Sequence, residues 1–336
     1  MDLARLRALF PVTRSSVFLN NAAESPLNAR VHQRLADYLT LAAETPHRKP
    51  SVRMPVRQLL AALLGGKPEE YALVTSTGVG LGLVAAGYPW MSGDNVVLFA
   101  DEHWNNTFPW LALRERGVDV RVLPLERDLR LNPERLAQAV DARTRIVTVA
   151  AVRHTTGYRA DLKRLGQIAH DREALFVVDG IQAAGVVPMN VVDDDMDVLA
   201  CGGFKWLLGQ PGTGFLYVRE RAWERIRPVL PGMFAAEDDL SELHWLPGAQ
   251  RYETGTLAYP LFHAWTAGLE LLQEIGIPAI HARVLELTTR LLEGLRARGL
   301  QVVTPTETWA ERSAILSFTA TSQEMNQRLF ERLAAD

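Results

Sequence analysis

The sequence predicts a three-layer α/β/α fold with a mostly parallel sheet, and three observations carry that expectation. From Tyr71 onward, short apolar runs rich in Val, Leu and Phe alternate with helical or polar stretches, the pattern of strands joined by crossover helices. Several runs, among them VVLFA, IVTVAAV and LFVVD, are continuously apolar, as strands covered on both faces must be. Two of the runs stop at residues able to do chemistry. Val177-Val178 ends at Asp179-Gly180, and Val198-Leu199-Ala200-Cys201 ends at Gly202-Gly203-Phe204-Lys205.

In chain order, residues 1–16 read as a short amphipathic helix and arm. Val17-Phe18-Leu19 leads into Asn20-Asn21-Ala22-Ala23-Glu24-Ser25-Pro26, an extended segment broken by its proline. Helices are expected over 29–43 and 55–64, the second stopped by Gly65-Gly66. Strands follow at ALVT, VVLFA, VRVLP, IVTVAAV, LFVVD, DVLAC and GFLYV; the last comes after a short turn that suits an antiparallel return. Long helices begin near Leu261 and Pro278. Gln301-Val302-Val303 and Ala314-Ile315-Leu316-Ser317-Phe318 read as strands of a small C-terminal α+β domain, with a helix over 323–333. The expected organisation is an N-terminal arm (1–16), a large domain (17–260), and linking helices with a partial small domain (261–336).

Composition narrows the function classes. A length of 336 residues with 48% hydrophobic content accommodates one large and one small domain. A net charge of −3, with the basic residues dispersed, gives no footprint for nucleic acid. The single cysteine, Cys201, excludes a disulfide framework and a multi-cysteine metal site. No stretch has the length of a membrane helix or the core of a signal peptide, so a soluble cytoplasmic protein is expected, with no metal and no membrane partner.

The candidate residues lie at strand ends. A carboxylate (Asp179) and a lysine (Lys205) at neighbouring strand ends suit pyridoxal phosphate: the amine forms a Schiff base, and the acid keeps the pyridine nitrogen protonated. Thr75-Ser76-Thr77-Gly78-Val79-Gly80 joins a strand to a helix, and the free N–H groups of such a junction attract an anion. It is not a Walker loop, because no lysine follows the glycines. Cys201 lies on an apolar strand and reads as inert packing.

Together these segments resemble the class V aminotransferases of pyridoxal phosphate (PLP) fold type I. That family includes cysteine desulfurases, kynureninases, isopenicillin N epimerase-like proteins and C–S lyases. The pattern VVDGIQAAG…DVLACGGFKWLLGQPGTGFLYV carries the resemblance, which extends from about Phe18 to about Phe318. It implies catalytic roles for Lys205, Asp179 and His154. It implies that Thr77, Gly78, Trp104, His154, Asp179, Gln182, Lys205 and Thr256 bind the cofactor. Trp104 would stack on the pyridine ring, and Gln182 and His154 would approach the phenolic oxygen. Arg153 is expected to meet a neighbouring acid.

Gly202 and Phe204 depart from the family's frequent serine and histidine, both phosphate contacts. Arg251-Tyr252-Glu253-Thr254-Gly255-Thr256 resembles a segment that reaches the other subunit's phosphate, which implies a homodimer with shared sites. The resemblance also implies a further segment beyond Asp336, carrying the substrate-carboxylate arginine and, in desulfurases, the nucleophilic cysteine. The expected function is a PLP enzyme acting at the Cα of an amino acid, a transaminase or a C–S or β-lyase. An epimerase, a PLP-binding protein with little turnover and a non-PLP α/β binding module stay open at this stage.

Overall fold

A computed structural model describes residues 2–238 and 241–335. The chain opens with α1 (Leu3–Ala8), α2 (Ala29–Glu44) and α3 (Arg53–Leu64). There follow β1 (Tyr71–Val74), α4 (Thr77–Gly87), β2 (Asn95–Phe99), α5 (Phe108–Leu111), β3 (Asp119–Leu123), α6 (Pro133–Ala139) and β4 (Thr144–Ala150). Next come α7 (Leu162–His170), β5 (Leu175–Asp179), β6 (Val198–Gly202) and β7 (Gly214–Val218). The chain continues with α8 (Tyr259–Ile275), α9 (Ile277–Ala297), β8 (Gln301–Val302), β9 (Phe318–Thr319) and α10 (Gln323–Ala335).

The main sheet has seven strands in the order β1-β7-β6-β5-β4-β2-β3. Its pairs are parallel except for the two that involve β7, which is antiparallel to both β1 and β6. The antiparallel return expected for GFLYV is therefore present. Because β7 reverses twice, β1 still runs with the parallel set. The C-terminal ends of β1, β2, β4, β5 and β6 consequently share one edge.

Alternate residues of each strand enter two separate cores. Along β5, Leu175 and Val177 pack with α4 and Trp110, whereas Phe176 and Val178 pack with α3, α7 and α8. This two-sided burial is why the strand sequences are apolar without alternation.

Two long-range ion-pair clusters tie distant segments to this frame. Glu253 is buried and accepts hydrogen bonds from Arg57 (2.6 Å), from Arg53 and from the Leu73 backbone N–H (2.8 Å). The last bond satisfies a donor on β1, an edge strand of the sheet. Arg130 holds the C-terminal part through Glu311 (2.7 Å) and Glu307.

One expected element is shorter than its sequence suggested. Residues 314–317 do not join the small β8–β9 sheet, which pairs Gln301 with Thr319 and Val302 with Phe318. Side-chain hydroxyls take the place of ladder bonds there: Ser313 Oγ accepts the Ile315 N–H (3.2 Å), and Thr304 Oγ1 accepts that of Ser317 (2.7 Å). Among the described residues, no helix is long and apolar enough to cross a membrane.

Glu253→Ala strands the buried Arg57 guanidinium without its carboxylate. A loss of about 3–5 kcal/mol is expected, and urea unfolding of the variant beside the parent measures it.

Candidate active site

Asp179 is the last residue of β5, and its neighbours across the sheet are Ala150 of β4 and Ala200 of β6. Its carboxylate is buried and accepts one hydrogen bond, from the Ile181 N–H at 3.0 Å. Among the described residues, no cation lies within salt-bridge distance of it. Burial pushes its pKa up to about 7.

Lys205 is half-buried in the turn between β6 and β7. Gly203 N–H donates to the Thr213 carbonyl and Gly209 N–H to that of Gly203, both at 2.8 Å, which closes the turn. Trp265 of α8 is fully buried against it, and its indole N–H donates to the Leu207 carbonyl (2.9 Å). A Cβ on Gly203 or Gly209 would meet that indole at 2.8 Å. The lysine is thus placed by backbone bonds and one wedged ring. Burial lowers its pKa, against the opposing pull of Asp179, so the neutral, nucleophilic amine is easier to reach.

Thr77 and Gly78 begin α4. Ser76 caps the helix by accepting the Val79 N–H (3.2 Å), which leaves the first two helical N–H groups without intrahelical acceptors. Thr77 Oγ1 accepts the Gly202 N–H at 2.8 Å, so its hydroxyl proton is left to donate outward. Two N–H groups and a hydroxyl converge at the positive end of a helix, a suitable cradle for a phosphate.

The rings above the site differ from expectation. Trp104, expected to stack on a cofactor, is 63% exposed and instead stacks on Phe108, with centroids 5.2 Å apart. His103 is the ring turned inward: it meets His154 edge-on at 5.1 Å and lies within electrostatic reach of Lys205. The buried Asn106, held by Glu102, Trp110 and Thr148, drives the loop into a tight turn that separates the two rings. The inward ring is legible in the sequence only as the neighbour of Glu102.

Arg153 is wholly buried and bonds to Glu102 and to the Ala100 carbonyl, so it does meet a neighbouring acid. Gln182 is held at both ends of its amide: Nε2 donates to Ala22 O (3.0 Å) and Oε1 accepts the Trp206 indole N–H (2.9 Å). One amide hydrogen remains free. Ala22 and Ser25, whose N–H donates to Phe204 O (2.9 Å), run the N-terminal segment along this rim. The Phe204 ring covers Gly202, where a Cβ would lie 3.0 Å from it. Cys201 is 1% exposed, and burial raises its thiol pKa well above normal. Thr256 is exposed, on the segment anchored by Arg53 and Glu253. Among the described residues, no cluster of His, Cys, Asp or Glu could hold a metal ion.

The Aminotransferase class-V family model matches residues 17–333. The chain belongs to the class V aminotransferase family. A relative from Methanothermobacter thermautotrophicus, named a probable cysteine desulfurase, is 31% identical over 85% of this chain and 74% of its own. The apo structure of a cysteine desulfurase from Thermococcus onnurineus superposes with a TM-score of 0.88 at 25% identity, covering 98% of this chain and 86% of that one. The structure of the cystine C–S lyase C-DES with its reaction product cysteine persulfide shares the fold, with a TM-score of 0.87 at 23% identity over 96% of this chain and 90% of that one.

As a class V aminotransferase, the protein is a PLP-dependent enzyme acting at the Cα of an amino acid. The donor set suits that cofactor. A buried carboxylate without a counter-ion suits a protonated ring nitrogen, the helix start suits a phosphate, and Lys205 lies on the same edge of the sheet.

The raised Asp179 pKa also fixes a pH dependence in the cofactor-free protein. The folded state holds a proton that the unfolded chain releases near its ordinary 3.8, so stability declines as pH rises from about 4 to about 7. Asp179→Asn removes that decline. At pH 8 the cofactor-free variant is expected to resist urea better than the parent; equal midpoints at pH 8 and pH 5 in both proteins would contradict it.

Proposed function

We propose that the protein is a PLP-dependent lyase that cleaves the C–S bond of a cysteine-like amino acid. The observation that carries this reading is that Lys205 lies on the same sheet edge as a buried Asp179 carboxylate with no cation at salt-bridge distance among the described residues, in a chain whose relatives include a probable cysteine desulfurase. The sole cysteine in the sequence is buried in the core, so these 336 residues offer no accessible thiol to receive sulfur. Transfer of sulfur to Cys201 is therefore disfavoured, and the reaction proposed is release of sulfur by elimination.

In this reading Lys205 is the covalent anchor of the cofactor and, once freed, the base that takes the Cα proton. When bound, pyridoxal phosphate supplies an electron sink for the pair left on Cα. Asp179 holds a proton on the ring nitrogen and gains the cation that its buried site otherwise lacks. Thr77 and Gly78 bind the phosphate, and the remaining amide hydrogen of Gln182 meets the phenolic oxygen. His103, in place of Trp104, covers the ring face. With Gly202 and Phe204 standing where phosphate contacts are frequent, phosphate binding leans on backbone N–H groups and on a second subunit. The exposed Thr256 supports a homodimer in which that residue reaches the partner's phosphate.

The purified chain loaded with PLP is expected to show a visible absorption band, and borohydride is expected to fix the cofactor to the peptide containing Lys205. Cysteine is expected to yield sulfide and pyruvate, with Lys205→Ala lowering that rate by about 10²–10⁴-fold. Label on another lysine would sink the site assignment. Amino-group transfer to a 2-oxo acid without sulfide would sink the lyase reading.

A further inference from the structure

A second cleft opens behind the active-site edge, on the other face of the sheet. Side chains alternate along a strand, so Asp179, two residues after Val177, faces the core that holds α4. Ala151, which follows β4, packs with Val147 and Val149 in the opposite core. There, with Ala183, it lines a cavity of about 550 Å³ whose walls include Leu131, Pro133, Val187 and Met189. That size lies within the roughly 300–1,000 Å³ of small-molecule sites.

The charged groups of this cavity divide into those already satisfied and those not. Arg130 and Glu311 meet through two bonds, at 2.7 and 3.0 Å. Asp161 stands at the exposed rim and caps α7 by accepting the Arg164 N–H (3.1 Å), with the exposed Lys163 nearby. Arg159 and Asp194 differ from these. Both are half-buried, and each lies within electrostatic reach of the other. Among the described residues, neither makes an ion pair. Arg159 Nη2 donates to Pro188 O (2.8 Å) and Asp194 accepts the Asn190 N–H (2.9 Å), which leaves most of the bonding capacity of both groups unused. Burial works against both charges, lowering the pKa of Arg159 and raising that of Asp194.

Tyr158 adds a third unsatisfied group. It lines the same cavity and is 7% exposed, and its hydroxyl has no hydrogen bond among the described residues. Burial pushes its pKa up to about 12, so it stays a neutral donor. The backbone holds these side chains in place. Ala160 N–H donates to Ala151 O (3.0 Å), Arg153 N–H to Tyr158 O (2.9 Å) and Arg159 N–H to Glu311 O (2.9 Å). Tyr158 and Arg159 thus form the return limb of a hairpin tied both to the end of β4 and to the C-terminal part of the chain, a preformed support for a ligand.

We propose that this cleft is a second binding site, distinct from the one at Lys205, for a free amino acid with a large apolar side chain. The ligand's carboxylate meets Arg159 and the Tyr158 hydroxyl, its ammonium meets Asp194, and its side chain lies on the apolar wall. A buried cation and a buried anion held apart each require the opposite charge. A molecule carrying only one charge leaves the other group unmet, so the cleft selects a zwitterion. No covalent bond changes, and the site does not depend on the lyase reading.

L-Phenylalanine is the probe, beside 3-phenylpropanoate and phenethylamine, which each lack one of its two charges. The titration uses the PLP-loaded enzyme after borohydride reduction, so that Lys205 is blocked; a chain that takes up no cofactor is titrated as it is. Calorimetry is expected to show one phenylalanine per chain with a Kd below about 1 mM, and each analogue at least about tenfold weaker. Arg159→Gln is expected to weaken phenylalanine and 3-phenylpropanoate by about tenfold or more and to leave phenethylamine unchanged. Asp194→Asn is expected to weaken phenylalanine and phenethylamine and to spare 3-phenylpropanoate. The comparison of the three ligands on the parent protein decides the matter even where a variant does not fold. Absence of phenylalanine binding, 3-phenylpropanoate binding as tightly as phenylalanine, or binding indifferent to both substitutions would overturn the proposal.

Discussion

Burying the Asp179 carboxylate with no cation at salt-bridge distance among the described residues costs the cofactor-free protein free energy, and much of the site follows from that expense. In a low-dielectric surrounding an isolated carboxylate tends to protonate, which is the raised pKa seen here. A cofactor with a protonatable ring nitrogen relieves the penalty, so cofactor affinity and the raised Asp179 pKa are two views of one interaction. The flanking strands place Ala150 and Ala200 beside Asp179, small apolar residues that offer no competing hydrogen bond.

Two further buried carboxylates show the opposite solution. Glu102 and Glu253 are each met by arginines, and each pairing links chain segments far apart in sequence. Glu253 joins α3, β1 and the segment leading to Thr256. Glu102 joins the loop bearing His103 to the loop bearing His154. The geometry of two reactive loops is thereby set from below by groups that never touch a substrate, in keeping with the tolerance of buried pairs for charge only when bonding is complete.

The strand pattern was legible because burial on both faces writes itself into sequence as uninterrupted apolar runs. The antiparallel return of β7 was legible from the shortness of its turn. The Asp179 and Lys205 positions could be read as strand ends followed by glycine. Pairings across long separations left no local trace, so Arg53 and Arg57 as partners of Glu253 were not foreseen. Nor was the inward turn of His103 in place of Trp104, since adjacent residues in a tight loop point in different directions and only Asn106, bonded to Thr148 of β4, decides which one faces the site. The strand expected over residues 314–318 is shortened to its last residue, Phe318, because serine and threonine hydroxyls captured backbone N–H groups of Ile315 and Ser317.

The packing of Phe204 over Gly202 couples these two positions, because a side chain at 202 presses on the ring at 204. A serine at 202 would bring its Cβ to 3.0 Å from the aromatic ring, which must give by a few tenths of an ångström, and a histidine at 204 beside Gly202 restores only one of two contacts. A lineage moving between the frequent family pattern and this one crosses an intermediate that is either crowded or under-bonded. The pair is therefore expected to change hands together, and a reconstruction of this protein's ancestry should treat it as a single character with two sites.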